Sequence, residues 1–158
     1  MSGSTRKHSI GLDIVDVQAF TQQLQIPGSS FHNVFSQLEL LDAREVSRLE
    51  GDPVREGTHL AGKWAAKEAF VKAWSNLLIG KQPPIERNSL VFAEVRVLKD
   101  LYQRAFIELV GVTLDKFESS LSANLAVDVR TANISTSISH DGDYATAVCS
   151  IFVNATAE

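Results

Sequence analysis

The sequence predicts a single α+β domain in which an antiparallel sheet packs one face against one long helix. Three observations carry this: an alanine-rich helical stretch in the middle of the chain, several short apolar runs of strand character around it, and too few residues for two independent cores. The chain has 158 residues, 44% of them hydrophobic and 22% charged, which suffices for one real core.

The elements follow in order. Met1 to His8 are small, polar or basic, with no apolar segment of the kind a secretory signal needs, and read as a disordered leader ahead of a domain spanning 9–158. Ile10 to Val17 is a short run rich in β-branched residues and predicts a strand. Val17 to Gln25 carries Val17, Phe20 and Leu24 near helical spacing and stops before Pro27, so a short helix is expected. Ser36 followed by Glu39 has the spacing of a capping box, which starts a second helix running to about Leu49. The long helix is expected from Thr58 to about Leu77, where Ala61, Ala65, Ala69 and Ala73 recur every fourth residue beside Trp64, Phe70 and Trp74. Such a stripe of alanines lets another element approach closely. Val91 to Leu98 and Ala105 to Val110 predict a hairpin, Asp115 to Leu121 a helix, and Leu125 to Ile138 and Tyr144 to Val153 two further strands. His140-Asp141-Gly142-Asp143 reads as the turn between the last two, and Pro27 to Ser30 and Lys81 to Pro84 as loops.

Composition narrows the function. A net charge of −4 without Lys/Arg clusters argues against sequence-independent nucleic-acid binding, which needs several phosphate-neutralising cations on one face. No apolar stretch approaches the roughly 20 residues that span a bilayer, so a soluble protein is expected. The single cysteine, Cys149, lies in an apolar run as a buried, reduced thiol, which suits a cytoplasmic protein. There is no GxSxG elbow, no ligand spacing among His8, His32, His59 and His140, and no Gly-rich phosphate loop.

Several residues remain as candidates for chemistry. An ionised Asp13 inside an apolar strand costs several kcal/mol unless a cation or donors compensate it; a metal would do so, as would the solvated end of the strand. Glu68 and Lys72 lie one turn apart on the long helix, and Lys63 and Lys67 repeat that spacing, so one helix edge is expected to carry three cations and a carboxylate. That edge suits a magnesium ion and phosphates, or a solvated Glu-to-Lys pair. His140 follows Ser137-Ile138-Ser139 where the chain leaves a strand, a place that presents a side chain to a ligand. By the period of two, Ser135, Ser137 and Ser139 share one strand face and Ile134, Ile138 and His140 the other.

Three segments in this order, IGLDIVDV at Ile10 to Val17, HLAGKWAAKEAFVKAW at His59 to Trp74 and ISTSISHDGDYATAV at Ile134 to Val148, resemble the holo-acyl-carrier-protein synthase group of the 4′-phosphopantetheinyl transferases. FSQLE at Phe35 to Glu39 matches a shorter signature of the same family. The resemblance implies the phosphopantetheinyl transferase fold and a site in which Asp13 and Glu68 hold magnesium, Lys72 neutralises a pyrophosphate, and His140, with Ser139 beside it, meets the phosphate or pantetheine part of coenzyme A. It also implies Lys63 and Lys67 as phosphate contacts, with Glu68, Lys72 and His140 as the catalytic set.

The implied reaction is attack by a carrier-protein serine on the β-phosphorus of coenzyme A. A water on the metal, Glu68, or the neighbourhood of His140 and Asp141 would take the serine proton. A homotrimer with sites between subunits is implied as well. The WAAKEA…KAW wording is most similar to the actinobacterial branch, whose acceptor can be an acyl carrier protein or the carrier domain of a type I fatty acid synthase.

The chain departs from the family pattern in three places. Lys63 stands where relatives usually have arginine, which removes bidentate geometry. Gln103-Arg104-Ala105 replaces a Gly-x-Pro turn, and Gln18, Gln22 and Gln23 replace the basic residues that dock a small acidic carrier. Two rival readings use the same residues: a metal-dependent phosphodiesterase or nuclease, disfavoured because its lysine usually follows the carboxylate by two residues rather than four, and a domain that binds coenzyme A or a carrier without turnover.

Overall fold

The computed structural model describes residues 6–86, 89–125 and 127–154. Strand β1 (Arg6–Asp16) opens the fold, and Asp16 caps helix α1 (Val17–Gln25) by accepting a hydrogen bond from the Ala19 amide at 2.8 Å. Helix α2 (Gln37–Glu50) starts at the expected capping box, with Ser36 and Glu39 bonded reciprocally. Helix α3 (Val54–Leu77) runs 24 residues, one turn longer at its start than the pattern predicts. Next come the hairpin β2 (Val95–Lys99) and β3 (Ala105–Leu109), helix α4 (Gly111–Leu125), β4 (Asn133–Asp141) and β5 (Tyr144–Asn154).

β1, β5 and β4 form one antiparallel sheet in that order, and β2–β3 forms a separate ribbon. Along β1, Ser9, Gly11, Asp13 and Val15 turn inward, whereas Ile10, Leu12 and Ile14 are 54%, 59% and 62% exposed. The inner face of β5 (Ala145, Ala147, Cys149, Ile151, Val153) is buried and lies across α3. The close approach rests on small residues. A Cβ on Gly11 would collide with the carbonyl of Ala69 and lie 2.5 Å from the amide of Ala73, so the alanine stripe and this glycine together set the spacing of sheet and helix. Ser9 then donates to the Ala73 carbonyl at 2.7 Å, and Asn76 to the Ile10 carbonyl at 2.9 Å.

Three sequence expectations are corrected. Residues 6–8, assigned to a leader, belong to β1 and pair with Asn154, Val153 and Phe152; residues 1–5 lie outside the described residues. The strand expected from Leu125 begins only at Asn133, because α4 continues to Leu125 and a short 3-10 turn at Val129–Thr131, capped by Asp128, intervenes. At its other end α4 starts at Gly111 rather than Asp115, since the Glu94 carboxylate accepts the Thr113 amide at 2.7 Å and stabilises the first turn.

The core is continuous along α3. Phe70, Trp74 and Phe117 stack under α4, where the Trp74 indole donates to Ser120 at 3.0 Å. A second aromatic group of Phe20, Phe31, Phe35, Trp64 and Phe92 forms nearer the start of α3, around Trp64. Cys149 is fully buried, and burial pushes its thiol up to about 12, so it stays protonated.

Candidate active site

Asp13 faces inward from the middle of β1, and its carboxylate pairs with the Lys72 ammonium at 2.7 Å; Lys72 also donates to the Leu12 carbonyl at 3.1 Å. Glu68 lies one turn before Lys72 and is half-buried. Burial, and then the charge of Asp13, raise the Glu68 carboxyl above its usual range, while Lys72 pulls it back. Two carboxylates close enough to repel, with one face open to solvent, fit a cation that takes few protein ligands. Magnesium is commonly bound in this way, through one or two carboxylates with water and substrate phosphates completing the shell. The residues therefore fit the metal. Beside them lies a shallow hollow of about 480 Å3 lined by Gly11, Leu12, Val71, Lys72 and Asn76.

A second concavity, a groove of about 510 Å3, opens between α3, the β2–β3 hairpin and β4. It is strongly basic, with His59, Lys63, Lys99, Arg104 and His140 in its lining. His140 is fixed at its rim by a 3.1 Å hydrogen bond between Nε2 and the Thr58 carbonyl, which makes Nε2 the protonated nitrogen. There it lies directly over Gly62, where a Cβ would come within 2.7 Å of Nε2. Ser139 is on the exposed face of β4 and is absent from the lining, where the inner-face residues Thr136 and Ile138, with Ser137 between them, form that part of the wall. The Gln103-Arg104-Ala105 departure is accommodated by Gln103 adopting φ 65°, the conformation a glycine would supply. Asp100 braces this turn by accepting from the Tyr102 and Arg104 amides at 2.9 Å and from the Arg104 guanidinium at 2.6 Å.

The expectation that Lys63, Lys67, Glu68 and Lys72 share one helix edge is overturned. At about 100° per residue, Lys63 and Lys67 fall on one flank of α3, but Lys72, five residues after Lys67 rather than four, falls roughly 140° further round. Lys67 is completely buried. Its ammonium donates to Glu39 at 3.0 Å, to the Phe92 carbonyl at 2.9 Å and to the Val95 carbonyl, and burial lowers it to about 8 despite the Glu39 charge. An enclosed ammonium with three protein acceptors cannot meet a phosphate, so Lys67 is a structural residue. Glu39, read from the sequence only as a capping residue, also accepts the Val97 amide at 3.0 Å and so joins α2, α3 and β2 through one carboxylate. Lys63 does line the groove, but its ammonium is held by Asp42 at 2.8 Å and the Val97 carbonyl at 2.7 Å.

The candidate site thus has an acidic half (Asp13, Glu68, Lys72) and a basic half (the groove with His140) on opposite flanks of α3. Lys99, Arg104 and Asp42 were missed in the sequence because charged residues in a hairpin or on a helix surface carry no spacing signal of their own.

Comparison with known proteins agrees with this fold and its motifs. Residues 9–149 match the model of the 4′-phosphopantetheinyl transferase superfamily. The chain is 42% identical over 141 residues to a holo-[acyl-carrier-protein] synthase of Corynebacterium glutamicum, covering 89% of this chain and 95% of that protein, and 43% identical to one of Corynebacterium efficiens, covering 89% and 91%. A solved Chronobacterium ammoniagenes ACPS–CoA complex superposes with a TM-score of 0.78 at 41% identity, covering 91% of this chain and 96% of the other. The chain belongs to the 4′-phosphopantetheinyl transferase superfamily.

Proposed function

We infer that this chain is a holo-acyl-carrier-protein synthase, which transfers the 4′-phosphopantetheine arm of coenzyme A to a serine of an acyl carrier protein. The observation that carries this is the juxtaposition of Asp13, Glu68 and Lys72 on a fold shared, at about two-fifths identity and nearly full coverage, with proteins of that name. The serine oxygen forms a bond to the β-phosphorus, the bond from that phosphorus to the bridging oxygen breaks, and adenosine 3′,5′-bisphosphate leaves as the serine proton is released.

Asp13 and Glu68 would hold magnesium, which when bound supplies Lewis-acid polarisation and a template for the pyrophosphate. Lys72 already lies beside Asp13 and offers the remaining positive charge for the phosphates, since transfers of this type depend mainly on positioning and charge stabilisation. The basic groove receives the nucleotide end, with His140 at its mouth. Because one chain places these halves on opposite flanks of α3, a complete site calls for a second copy. The outer sheet face, with Ile10, Leu12, Ile14 and Tyr144 exposed, is the surface a homotrimer would cover.

The acceptor is a free acyl carrier protein or the carrier domain of a type I fatty acid synthase, the latter favoured by the uncharged Gln18, Gln22 and Gln23 on α1. On this reading the protein serves fatty acid biosynthesis in the cytoplasm, in keeping with the buried, reduced Cys149. No helix among the described residues is long and apolar enough to cross a membrane.

The test is intact-mass analysis of purified apo carrier domains, free and type I, incubated with the protein, coenzyme A and magnesium. A gain of one phosphopantetheine mass, abolished by EDTA and by Asp13→Ala, is the expected result. No gain on either carrier would overturn the assignment.

A further inference from the structure

The groove floor holds a cluster that the transferase reading leaves without a task. Asp42, on α2, places a single oxygen 2.8 Å from the Lys63 ammonium and 2.9 Å from His59 Nε2. The Lys63 and His59 side chains are only 3% and 15% exposed, while Asp42 keeps 35% of its side-chain surface and has solvent on one side. The charged and titratable groups that line the groove are all cationic or basic, His59 and Lys63 from α3, Lys99 from β2, Arg104 from the hairpin and His140 from β4, and Asp42 stands behind the first two. Asp42 is thus the anion in direct contact with both basic groups that α3 contributes to the groove.

We propose that Asp42, His59 and Lys63 form a charge-balanced cluster that sets the groove's affinity for the phosphates of coenzyme A, and that this affinity rises when His59 takes up a proton. The proposal rests on the reading that the groove takes the nucleotide end. Lys63 cannot turn outward without breaking two hydrogen bonds inside the protein, so its charge is spent on Asp42 and the phosphates are left to Lys99 and to Arg104, which bonds Asp100 on one side but keeps 73% of its side-chain surface exposed. Hydrogen bonds from Lys63 and His59, together with their charges, overcome the effect of burial and hold the Asp42 carboxyl below its usual range, so it stays ionised at every working pH. Burial, with the charges of Lys99 and Lys63, outweighs Asp42 and lowers the His59 imidazole below its ordinary value. His59 is therefore neutral at pH 7. Below that range it adds one positive charge to the floor, and by linkage a bound phosphate pulls its titration upward.

The experiment measures the affinity of adenosine 3′,5′-bisphosphate by calorimetry from pH 5.5 to 8.5 for the wild type, Asp42→Asn, His59→Gln and Arg104→Gln. The same titration is followed at the His59 ring by NMR. Asparagine still accepts hydrogen bonds but carries no charge, so Asp42→Asn is expected to bind roughly threefold to tenfold more tightly at pH 7.5. The ratio of His59→Gln to wild-type dissociation constants is expected to grow severalfold from pH 8 to pH 5.5; protonation of the ligand itself cancels in that ratio. The His59 midpoint should move up when the ligand is saturating. A pH-independent ratio, an unmoved midpoint with ligand bound, or weaker binding by Asp42→Asn would each overturn the proposal. Binding indifferent to all three substitutions would place the nucleotide elsewhere and overturn the groove assignment as well.

Discussion

The two flanks of α3 carry the same residue types and use them in opposite ways. On one flank Asp13, Glu68 and Lys72 meet at the surface, with Lys72 half exposed and paired with Asp13, and with Glu68 close enough to feel both charges. On the other, Lys67 and Glu39 are sealed in the core and Lys63 is almost sealed, each with its hydrogen bonds met within the protein. A charge whose partners are all protein groups holds elements together, and a charge left short of partners is available to a ligand. Lysine spacing along the helix does not distinguish the two; the phase of each lysine relative to the sheet does.

The largest expected effect tests whether the exposed flank carries the reaction. Glu68→Ala should lower carrier modification by about 10²–10³-fold with little change in melting temperature, because the side chain is half-buried and ends beside solvent. Mixing the Glu68→Ala chain with a His140→Ala chain under conditions that exchange subunits should restore activity neither shows alone, if the acidic half of one copy serves the groove of another. Failure to recover any activity in a verified mixed oligomer would place both halves in a single chain's reach and sink the shared-site reading.

The sealed flank should respond in stability. Glu39→Ala leaves the Lys67 ammonium buried without its counter-charge, a change of about 3–5 kcal/mol, or on the order of 10 °C in Tm for a chain of this size. Thermal denaturation measures it. A loss below about 1 kcal/mol would mean that Lys67 escapes to solvent and is not structural.

A smaller effect tests the junction between helix and groove. Gly62→Ala improves helix propensity by about 1 kcal/mol, but its methyl group would displace His140 from the Thr58 carbonyl. Tm should be unchanged or slightly raised, while KM for coenzyme A rises severalfold. An unaltered KM would remove His140 from the binding surface.

The smallest effect concerns acid stability. The Asp42 carboxyl is held below its unfolded value, so the stability it contributes is present above about pH 4 and is lost as pH falls through the lowered value. With Asp42 more than a third exposed, the contribution is under about 1 kcal/mol. Urea titrations from pH 2 to pH 7 should show the difference between Asp42→Asn and wild type shrinking as the pH falls below about 4.

Much of this molecule was legible in the chain. The capping box placed the start of α2, the alanine stripe placed α3 and foretold that some element packs closely on it, and the period of two put Ser135, Ser137 and Ser139 on one face of β4 with Ile134 and Ile138 on the other; that the close neighbour is β1 and that the serine face is the outer one came from the structure. These are local signals, set by backbone geometry within a few residues, and they also carried the three motifs of the family. The strand boundary at Asn133 was not legible, because the turn capped by Asp128 follows from its side chain reaching the Arg130 amide and not from any apolar pattern.

The pairing of charges was decided by the tertiary structure alone. Residues 39 and 67, 42 and 63, and 13 and 72 lie on separate elements, and whether a lysine ends sealed against a carboxylate or open to a phosphate depends on which flank of α3 faces α2 and which faces β1. Electrostatic energy depends on distance and burial in three dimensions. The sequence by itself determined which ionisable groups exist and in what order; packing decided which became structure and which remained chemistry.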